Sequence, residues 1–297
     1  MPSRLSAMTQ ALVLGCLGAI VWGVGSMLSA PSSRILGVRG SVLWLSVSAA
    51  VAGAVLALSI SGPPRVATRD LPYIAGAALM LLAATHLWAL VTQRSDVSVA
   101  TPVVACDGAV AAAIAVLAGQ RLPPVAYVGL AAMVGGLIVL SRRQAAERPP
   151  SGNRYEVERP LSKPATVAIA GLTATCFGGL FYCAGHVEGT APLWTVTIVR
   201  ASVTVVALAR TIPRVALPAA AGLRFAVASG VLDVSGFALY VTGARHDLAV
   251  AAVAVSQYGA VAVLASVVYL SERLTRRQWA GTAIVVLGAA VVAGSGR

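Results

Sequence analysis

Long apolar runs separated by short stretches rich in Arg, Pro, Asp or Gly are the dominant pattern of this chain. A helix that crosses a membrane needs about 20 mostly apolar residues, and ten runs of this kind can be marked off. The predicted spans are residues 9–29, 38–60, 71–92, 97–118, 125–141, 164–186, 191–211, 219–243, 248–270 and 276–294. The pattern therefore predicts an all-α membrane protein with ten transmembrane helices.

One long polar segment interrupts this series. Residues 142–163 contain several arginines and glutamates and the pair Pro149-Pro150, a composition typical of a linker. The segment leaves five runs on each side of it. We therefore divide the chain into a first unit at 1–141, a polar linker at 142–163 and a second unit at 164–297.

The two units carry a repeated pattern. The first unit contains Gln120-Arg121-Leu122 followed by Tyr127, Gly129 and Gly136, and 152 residues later the second contains Glu272-Arg273-Leu274 followed by Trp279, Gly281 and Gly288. Because five spans is an odd number, the second copy is expected to cross the membrane in the opposite sense. Two inverted five-helix repeats around a central cavity are typical of alternating-access transporters.

Composition and charge agree with this interpretation. The chain is 58% hydrophobic and 11% charged, whereas soluble domains are about 25% charged, so an ordinary soluble domain is excluded. The net charge of +12 comes from cations that lie mostly between apolar runs, where they flank a lipid bilayer rather than form a nucleic-acid surface. No nucleotide-binding, metal-binding or catalytic-serine motif is present, so we predict no cofactor, no metal site and no enzyme activity.

The residues at the end of the second unit resemble a known signature. Ser271-Glu272-Arg273-Leu274-Thr275, followed by Gln278-Trp279-Ala280-Gly281, is similar to the "GERLT…QW.G" pattern that ends each EamA repeat of the drug/metabolite transporter superfamily. Further matches are Trp22-Gly23 in the first run, Ser98-Val99-Ala100-Thr101-Pro102-Val103 in the fourth, and Leu232-Asp233 with Tyr240 and Gly243 in the eighth.

This resemblance implies a bundle of ten helices around a central cavity that moves small organic solutes. In the family these are commonly amino acids, nucleotide-like metabolites or drugs, and transport is often outward. The chain departs from the pattern at Gln120, where the signature has Glu, and at Asp107 and Gly259, where many members carry Pro.

Three ionisable residues lie near the centres of predicted spans: Asp107, Arg200 and Asp233. A charge at this depth costs roughly 2.5 to 3.5 kcal/mol, so each is a candidate for the solute or coupling-ion cavity. Asp107 lies among small residues, which favours exposure to the cavity and makes proton coupling available. For Asp233 and Arg200 an ion pair with each other is an equally good interpretation.

Several further side chains are predicted to line the cavity. Phe237 and Tyr240 follow Asp233 at i+4 and i+7, on the same helix face. In the first unit His86 and Trp88 occupy the corresponding helix, and Gln257 and Tyr258 of the ninth run add hydrogen-bonding and stacking groups. Packing between helices is the alternative interpretation of each of these aromatic residues.

The sequence thus predicts a secondary-active transporter, multi-pass in the cell inner membrane, that exports a small amphiphilic metabolite or drug by alternating access. A membrane scaffold, or an enzyme acting on lipid-borne substrates, is the alternative. The expected partners are a small-molecule solute and lipid, with the chain as monomer or homodimer. Orientation stays open, because the resemblance places both termini in the cytoplasm whereas the positive-inside rule places the Arg-rich linker there.

Overall fold

The structure is a computed structural model that describes residues 4–94, 103–141, 161–211 and 220–261, with residues 276, 279–281, 283–284, 287–288 and 291 near the carboxyl end. These parts of the chain are helical and contain no strand. The helices are α1 (Arg4–Ser61), α2 (Leu71–Arg94), α3 (Asp107–Leu117), α4 (Pro124–Ser141), α5 (Lys163–Gly185), α6 (Pro192–Thr211), α7 (Ala220–Ala244) and α8 (Leu248–Val255).

The first two predicted spans lie within the single element α1. Its two apolar stretches, Ser6–Gly25 and Arg39–Ser61, are separated by Gly37, whose φ of +68° interrupts the helical geometry. Only glycine adopts this left-handed conformation without steric cost, so the glycine at position 37 permits the helix to change direction there.

Six described helical stretches are long and apolar enough to cross a membrane. Besides the two in α1 they are Thr68–Trp88, Pro164–Gly185, Pro192–Ala209 and Ala220–Ala244. Each matches one of the predicted spans to within a few residues. Three further apolar helices are shorter, at Asp107–Leu117, Pro124–Gly136 and Leu248–Val261. An all-helical fold is therefore confirmed for the described residues, and the six long apolar helices are consistent with an integral membrane protein. The linker residues 142–160 and the signature residues 271–275 lie outside the described part.

Helices of the two predicted units interleave. The most extensive packing joins α1 to α7, α2 to α5, α1 to α6, α3 to α5 and α3 to α8. Each of these pairs combines a helix from residues 1–141 with one from residues 164–297. The described residues of the two units therefore share one core.

Burial follows the sequence of each helix. All eight residues of α8 are Leu, Ala or Val, and all of them are buried, as expected for a helix that is apolar on every side. The second half of α1 instead turns Val51, Val55 and Leu58 outward, at i, i+4 and i+7. Such an exposed apolar stripe suits contact with lipid rather than water.

Candidate functional site

Two helices are interrupted in the same way. In the fourth predicted run the N–H of Cys106 donates to Val103 O at 3.2 Å and the N–H of Val110 to Cys106 O at 3.1 Å. In the ninth run the main-chain N–H of Gln257 donates to Ala254 O at 3.3 Å, and the main-chain N–H of Val261 donates to Gln257 O at 3.1 Å. The same pattern of backbone hydrogen bonds thus recurs after 151 residues, and both runs consist of two helical pieces joined by a short turn.

The two interruptions lie against each other. A Cβ atom built on Gly108 would stand 2.3 Å from the carbonyl oxygen of Ala252 and 2.4 Å from Ser256 Oγ. These distances are too short for any side chain, so the close approach of α3 to α8 requires glycine at this position. Gly108 follows Asp107, so the crossing brings that carboxyl to the contact between the two predicted units.

Asp107 is the first residue of α3 and is only 2% exposed. Its Oδ1 accepts the N–H of Gly108 at 2.7 Å. With a rise of about 1.5 Å per residue, it lies roughly 15 Å from the other end of α3, about half the thickness of a bilayer core. A carboxyl group at the start of a helix is stabilised in its charged form by the helix dipole.

Arg200 of α6 and Asp233 of α7 form an ion pair. Arg200 donates from one terminal guanidinium nitrogen to Asp233 Oδ1 at 2.5 Å, and their side chains are 8% and 18% exposed. Of the two interpretations of these residues, the mutual ion pair is the one the structure contains.

Aromatic side chains fill the space beside this pair. The ring of Trp22 lies 5.7 Å from that of Phe181, 6.1 Å from Phe237 and 6.3 Å from Tyr258. Tyr240 packs on Phe181 at 4.7 Å between centroids and donates its hydroxyl to Phe181 O at 2.5 Å. We call these five side chains the aromatic cluster. Trp22 also donates its indole N–H to the main-chain carbonyl of Asp233 at 2.9 Å, which joins the cluster to the ion pair.

Three buried side-chain atoms have no hydrogen-bond partner among the described residues: Arg200 Nε, Asp233 Oδ2 and Gln257 Oε1. All three belong to residues that the sequence singled out for the cavity. The amide nitrogen of Gln257 is bonded, to Val253 O at 3.0 Å. Because buried polar groups normally have partners, a concentration of exceptions in one region calls for an explanation.

The structure brings most of the predicted site residues together, with two exceptions. Phe237, Tyr240 and Tyr258 belong to the aromatic cluster, whereas His86 is exposed and its Nδ1 bonds to Leu82 O of its own helix at 2.7 Å. Trp88 packs on a separate small core of Val91, Val104 and Ala170. Phe237 and Tyr240 are completely buried and line no opening in this conformation.

Phe181 is the member of the cluster that the sequence analysis missed. It follows Phe177 by four residues, so both rings lie on one face of α5. Phe177 also packs against the main core. The spacing of four residues between the two rings was therefore the signal in the sequence that this face of α5 points inward.

A polar cavity opens at one end of the helices. Its volume is about 600 Å³. Two of its lining residues, Ala244 and Gly185, lie one helical turn from Tyr240 and Phe181 on the same helices. The aromatic cluster therefore begins one helical turn deeper than the floor of the cavity. We call this cavity the vestibule. Its polar lining includes Gln120, Arg121, His186, Glu188, Arg245 and Asp247.

Gln120 links the two predicted units at the vestibule. Its side-chain amide donates to Asp247 Oδ1 at 2.6 Å, and the same oxygen accepts the N–H of Val250 at 3.1 Å, which caps α8. A glutamate at position 120 would place a second carboxylate against Asp247. A glutamine at this position, where the EamA signature that the sequence resembles has glutamate, thus has a local electrostatic reason.

A second link at this end is built on Asp70, which is 2% exposed. Thr190 donates its hydroxyl to Asp70 Oδ2 at 2.8 Å and accepts the N–H of Ala67 at 3.3 Å. Arg245 donates to the main-chain carbonyls of Val187 and Thr190. Burial lowers the pKa of Arg245 below its usual value, and the carboxylates of Asp70 and Glu188 partly offset this effect.

Comparison with known proteins identifies the fold but no family. No protein-family model matches the chain, and no curated protein matches it. Among solved structures 27 chains match. One of them, a crystal structure of a protein 14% identical in sequence, superimposes with a TM-score of 0.76 over 95% of this chain and 97% of its own. The chain is therefore similar in fold, over nearly its whole length, to a protein already solved by crystallography.

Proposed function

We propose that this protein is a secondary-active transporter of the EamA type, in the drug/metabolite transporter superfamily, which exports a small amphiphilic solute by alternating access. The observation that carries the proposal is the matched pair of interrupted helices, which recur after 151 residues and meet at a buried carboxyl group. Discontinuous helices that cross near the middle of the membrane are the usual binding elements of transporters built from inverted repeats.

The arrangement of the loops supports ten crossings in two inverted five-helix units. Thr190 bonds to Asp70 and joins residues 186–191 to 62–70, and Gln120 bonds to Asp247 and joins residues 119–123 to 245–247. Arg245 donates to Thr190 O and joins the two pairs, so all four segments lie at the same end. Two predicted spans separate each of these segments from the next. If every span crosses the membrane once, an even number of crossings returns the chain to the same side, as the contacts require.

The central residues offer complementary chemistry for such a solute. The aromatic cluster provides an apolar surface, while the ion pair and Gln257 provide hydrogen-bonding groups. Asp107 is the group we assign to proton coupling, since it is a buried ionisable group where the two interrupted helices meet, and ionisable groups inside a membrane commonly serve as proton carriers. In the described conformation Tyr240 and Phe181 lie between the vestibule and Asp107, as expected for a pathway closed on this side.

The decisive experiment is counterflow in proteoliposomes, carried out across a panel of amino acids, organic anions and cationic drugs with and without a pH gradient. We compare the wild type with Asp107→Asn and with Glu156→Gln, which removes a carboxylate from the linker sequence. We expect a pH gradient to drive solute flux in the wild type and equally in Glu156→Gln. In Asp107→Asn this gradient-driven flux should fall at least tenfold, which corresponds to about 1.4 kcal/mol. Exchange of solute without a gradient should be retained in Asp107→Asn.

Other outcomes have distinct meanings. Equal gradient-driven flux in all three proteins would remove Asp107 from the coupling mechanism. No flux of any solute, from protein that is folded in the vesicles, would favour a membrane scaffold. Chemical conversion of a lipid-borne substrate without a gradient would instead indicate an enzyme.

A further inference from the structure

The ion pair between Arg200 and Asp233 is incomplete in a specific way. A guanidinium group has five N–H donors in a planar fork, and a carboxylate commonly binds two of them. Here a single contact joins the pair, so that one donor, Arg200 Nε, and one acceptor, Asp233 Oδ2, have no partner among the described residues. Arg200 is more than nine-tenths buried, with a side-chain exposure of 8%.

This arrangement is costly for a structural ion pair. A buried donor or acceptor without a partner loses its hydration and gains nothing in exchange. A pair that serves only stability is expected to use both contacts, because desolvation of two charges is offset only when their remaining donors and acceptors are satisfied. The open donor and acceptor are therefore suited to a group that arrives from outside the chain.

The charge of the pair restricts that group. Arg200 and Asp233 together are neutral, so a charged head group bound to this pair would add a charge that the pair itself does not compensate. A neutral head group that carries both an acceptor and a donor adds no such charge. A primary amide has this property, and so does a zwitterion.

We infer that the Arg200–Asp233 pair is the polar subsite of the transporter and selects net-neutral solutes whose head group accepts a hydrogen bond from Arg200 Nε and donates one to Asp233 Oδ2. The inference rests on the proposed function and names the substrate class for it. The indole N–H of Trp22 is bonded to the main-chain carbonyl of Asp233. An apolar group attached to the head group would thus lie along the aromatic cluster.

Both open atoms are enclosed in the described conformation, so the solute has to bind in a conformation in which the pair is accessible. A ligand shifts a conformational equilibrium only through interactions that differ between its states. Two hydrogen bonds that can form only in the open conformation provide such a difference. The solute itself would therefore favour opening.

The first test measures binding of four compounds that share an unbranched hydrocarbon chain to the purified full-length protein in detergent micelles. Hexanamide is neutral, 2-aminohexanoate is a zwitterion, hexanoate is an anion and hexylammonium is a cation. We expect hexanamide, 2-aminohexanoate or both to bind at least about tenfold more tightly than the two ions, the factor that one hydrogen bond to a charged group provides. The first two compounds distinguish an amide from a zwitterion as the preferred head group.

The second test changes the subsite while keeping its charge. In Arg200→Lys the ion pair is retained but the planar fork is replaced by a compact ammonium group, so Nε is lost. We expect the preference for the neutral compounds to fall about tenfold. Arg65→Lys, on the exposed loop after α1, is the matched control. If Arg200→Lys does not fold, Asp233→Glu replaces it, because the longer side chain lets both oxygens reach Arg200 and closes the open positions.

Three results would overturn the inference: equal binding of neutral and charged compounds, no binding of any of the four at millimolar concentrations, or full preference retained in Arg200→Lys or Asp233→Glu. These outcomes can be told apart from a failure of the proposed function. If a gradient drives flux of charged solutes and neutral solutes are not preferred, the subsite is contradicted but the transporter function stands. If the protein binds neutral compounds selectively but carries no flux, the transporter function is contradicted but the subsite stands.

Discussion

Two aspartates in the interior of this protein, one buried and one largely buried, have contrasting surroundings. Asp70, at the vestibule end, accepts the hydroxyl of Thr190 and lies in a network that ties the loop after α1 to the loop after α5. Asp233, in the middle of α7, uses one oxygen for Arg200 and leaves the other without a partner among the described residues. The first carboxylate joins the two units together, whereas the second keeps a binding position open.

The contrast teaches how to separate structural from functional polar groups inside a membrane. Both aspartates are costly to bury, so burial alone distinguishes nothing. The partners of their oxygens do distinguish them. Asp70 Oδ2 accepts from Thr190 and Oδ1 lies 3.9 Å from Arg69 Nε, whereas Asp233 Oδ2 is buried without a partner among the described residues. The following changes test this distinction, starting with the largest expected effect.

Breaking the central ion pair from one side should have the greatest effect. Arg200→Ala leaves Asp233 as a buried, uncompensated charge and should lower the free energy of unfolding by about 3 to 5 kcal/mol. The double variant Arg200→Met/Asp233→Leu removes both charges and should recover most of that loss while abolishing solute binding. Unfolding of the purified proteins in micelles provides the measurement. A double variant as unstable as the single one would show that the pair is needed for folding.

Closing the space at the helix crossing should come next. In Gly108→Ala the added methyl group meets the carbonyl oxygen of Ala252 at 2.3 Å, and main chain cannot move aside cheaply. We expect a loss of about 2 kcal/mol in unfolding free energy, together with loss of transport. Gly135→Ala, also within a helix but with no atom within 4 Å of the new group, is the control. Equal stability of the two variants would contradict the close crossing.

A smaller loss is expected in the satisfied network at the vestibule end. Thr190→Val keeps the shape of the side chain but removes the hydroxyl that Asp70 accepts, and should cost about 1 to 2 kcal/mol. Thr190→Ser retains the hydroxyl and should be close to wild type. Because this network is structural in our interpretation, solute affinity of the folded Thr190→Val protein should be unchanged. A change in affinity greater than in stability would contradict the distinction.

The smallest effect is expected at Gln120. Gln120→Glu replaces a hydrogen bond to Asp247 with two facing carboxylates, and should cost less than about 1 kcal/mol at neutral pH. The loss should shrink as pH falls towards ~4, because a protonated carboxyl group can donate to the other. Gln120→Glu combined with Asp247→Asn restores a donor and an acceptor and should remove the pH dependence. Thermal unfolding at several pH values measures both.

Much of the fold could be predicted from the sequence because apolar runs of fixed length have few uses outside a membrane. The helix ends agree with the predicted spans wherever punctuation is strong, as at Pro124, Pro164 and Pro192. The single element α1 could not be predicted, since Gly37 and the polar residues around it indicate an ordinary loop. The mid-span interruptions of the fourth and ninth runs were missed because they contain only one or two polar residues, Asp107 in the fourth run and Ser256 and Gln257 in the ninth, too few to end an apolar run by composition.

The sequence could predict how deep in the membrane the candidate site residues lie, but not which other residues they contact. The cost of burying a charge picks out Asp107, Arg200 and Asp233 whatever the packing, and it left the ion pair of the last two as one of two interpretations. Which face of a helix points inward depends on the helices that pack against it, and a single sequence does not identify those neighbours. His86 is exposed for this reason, and Trp88, which lies 152 residues before Tyr240, packs on a separate small core.

The contact between Gly108 and the carbonyl oxygen of Ala252 has a consequence for which substitutions this chain tolerates. Most positions in a packed helix accept exchange among apolar residues of similar volume. A position where even one methyl group collides with main chain has no such freedom. In a library of this chain randomised one position at a time and sorted for folded protein, position 108 should therefore return glycine alone, while its neighbours along α3 return several small apolar residues.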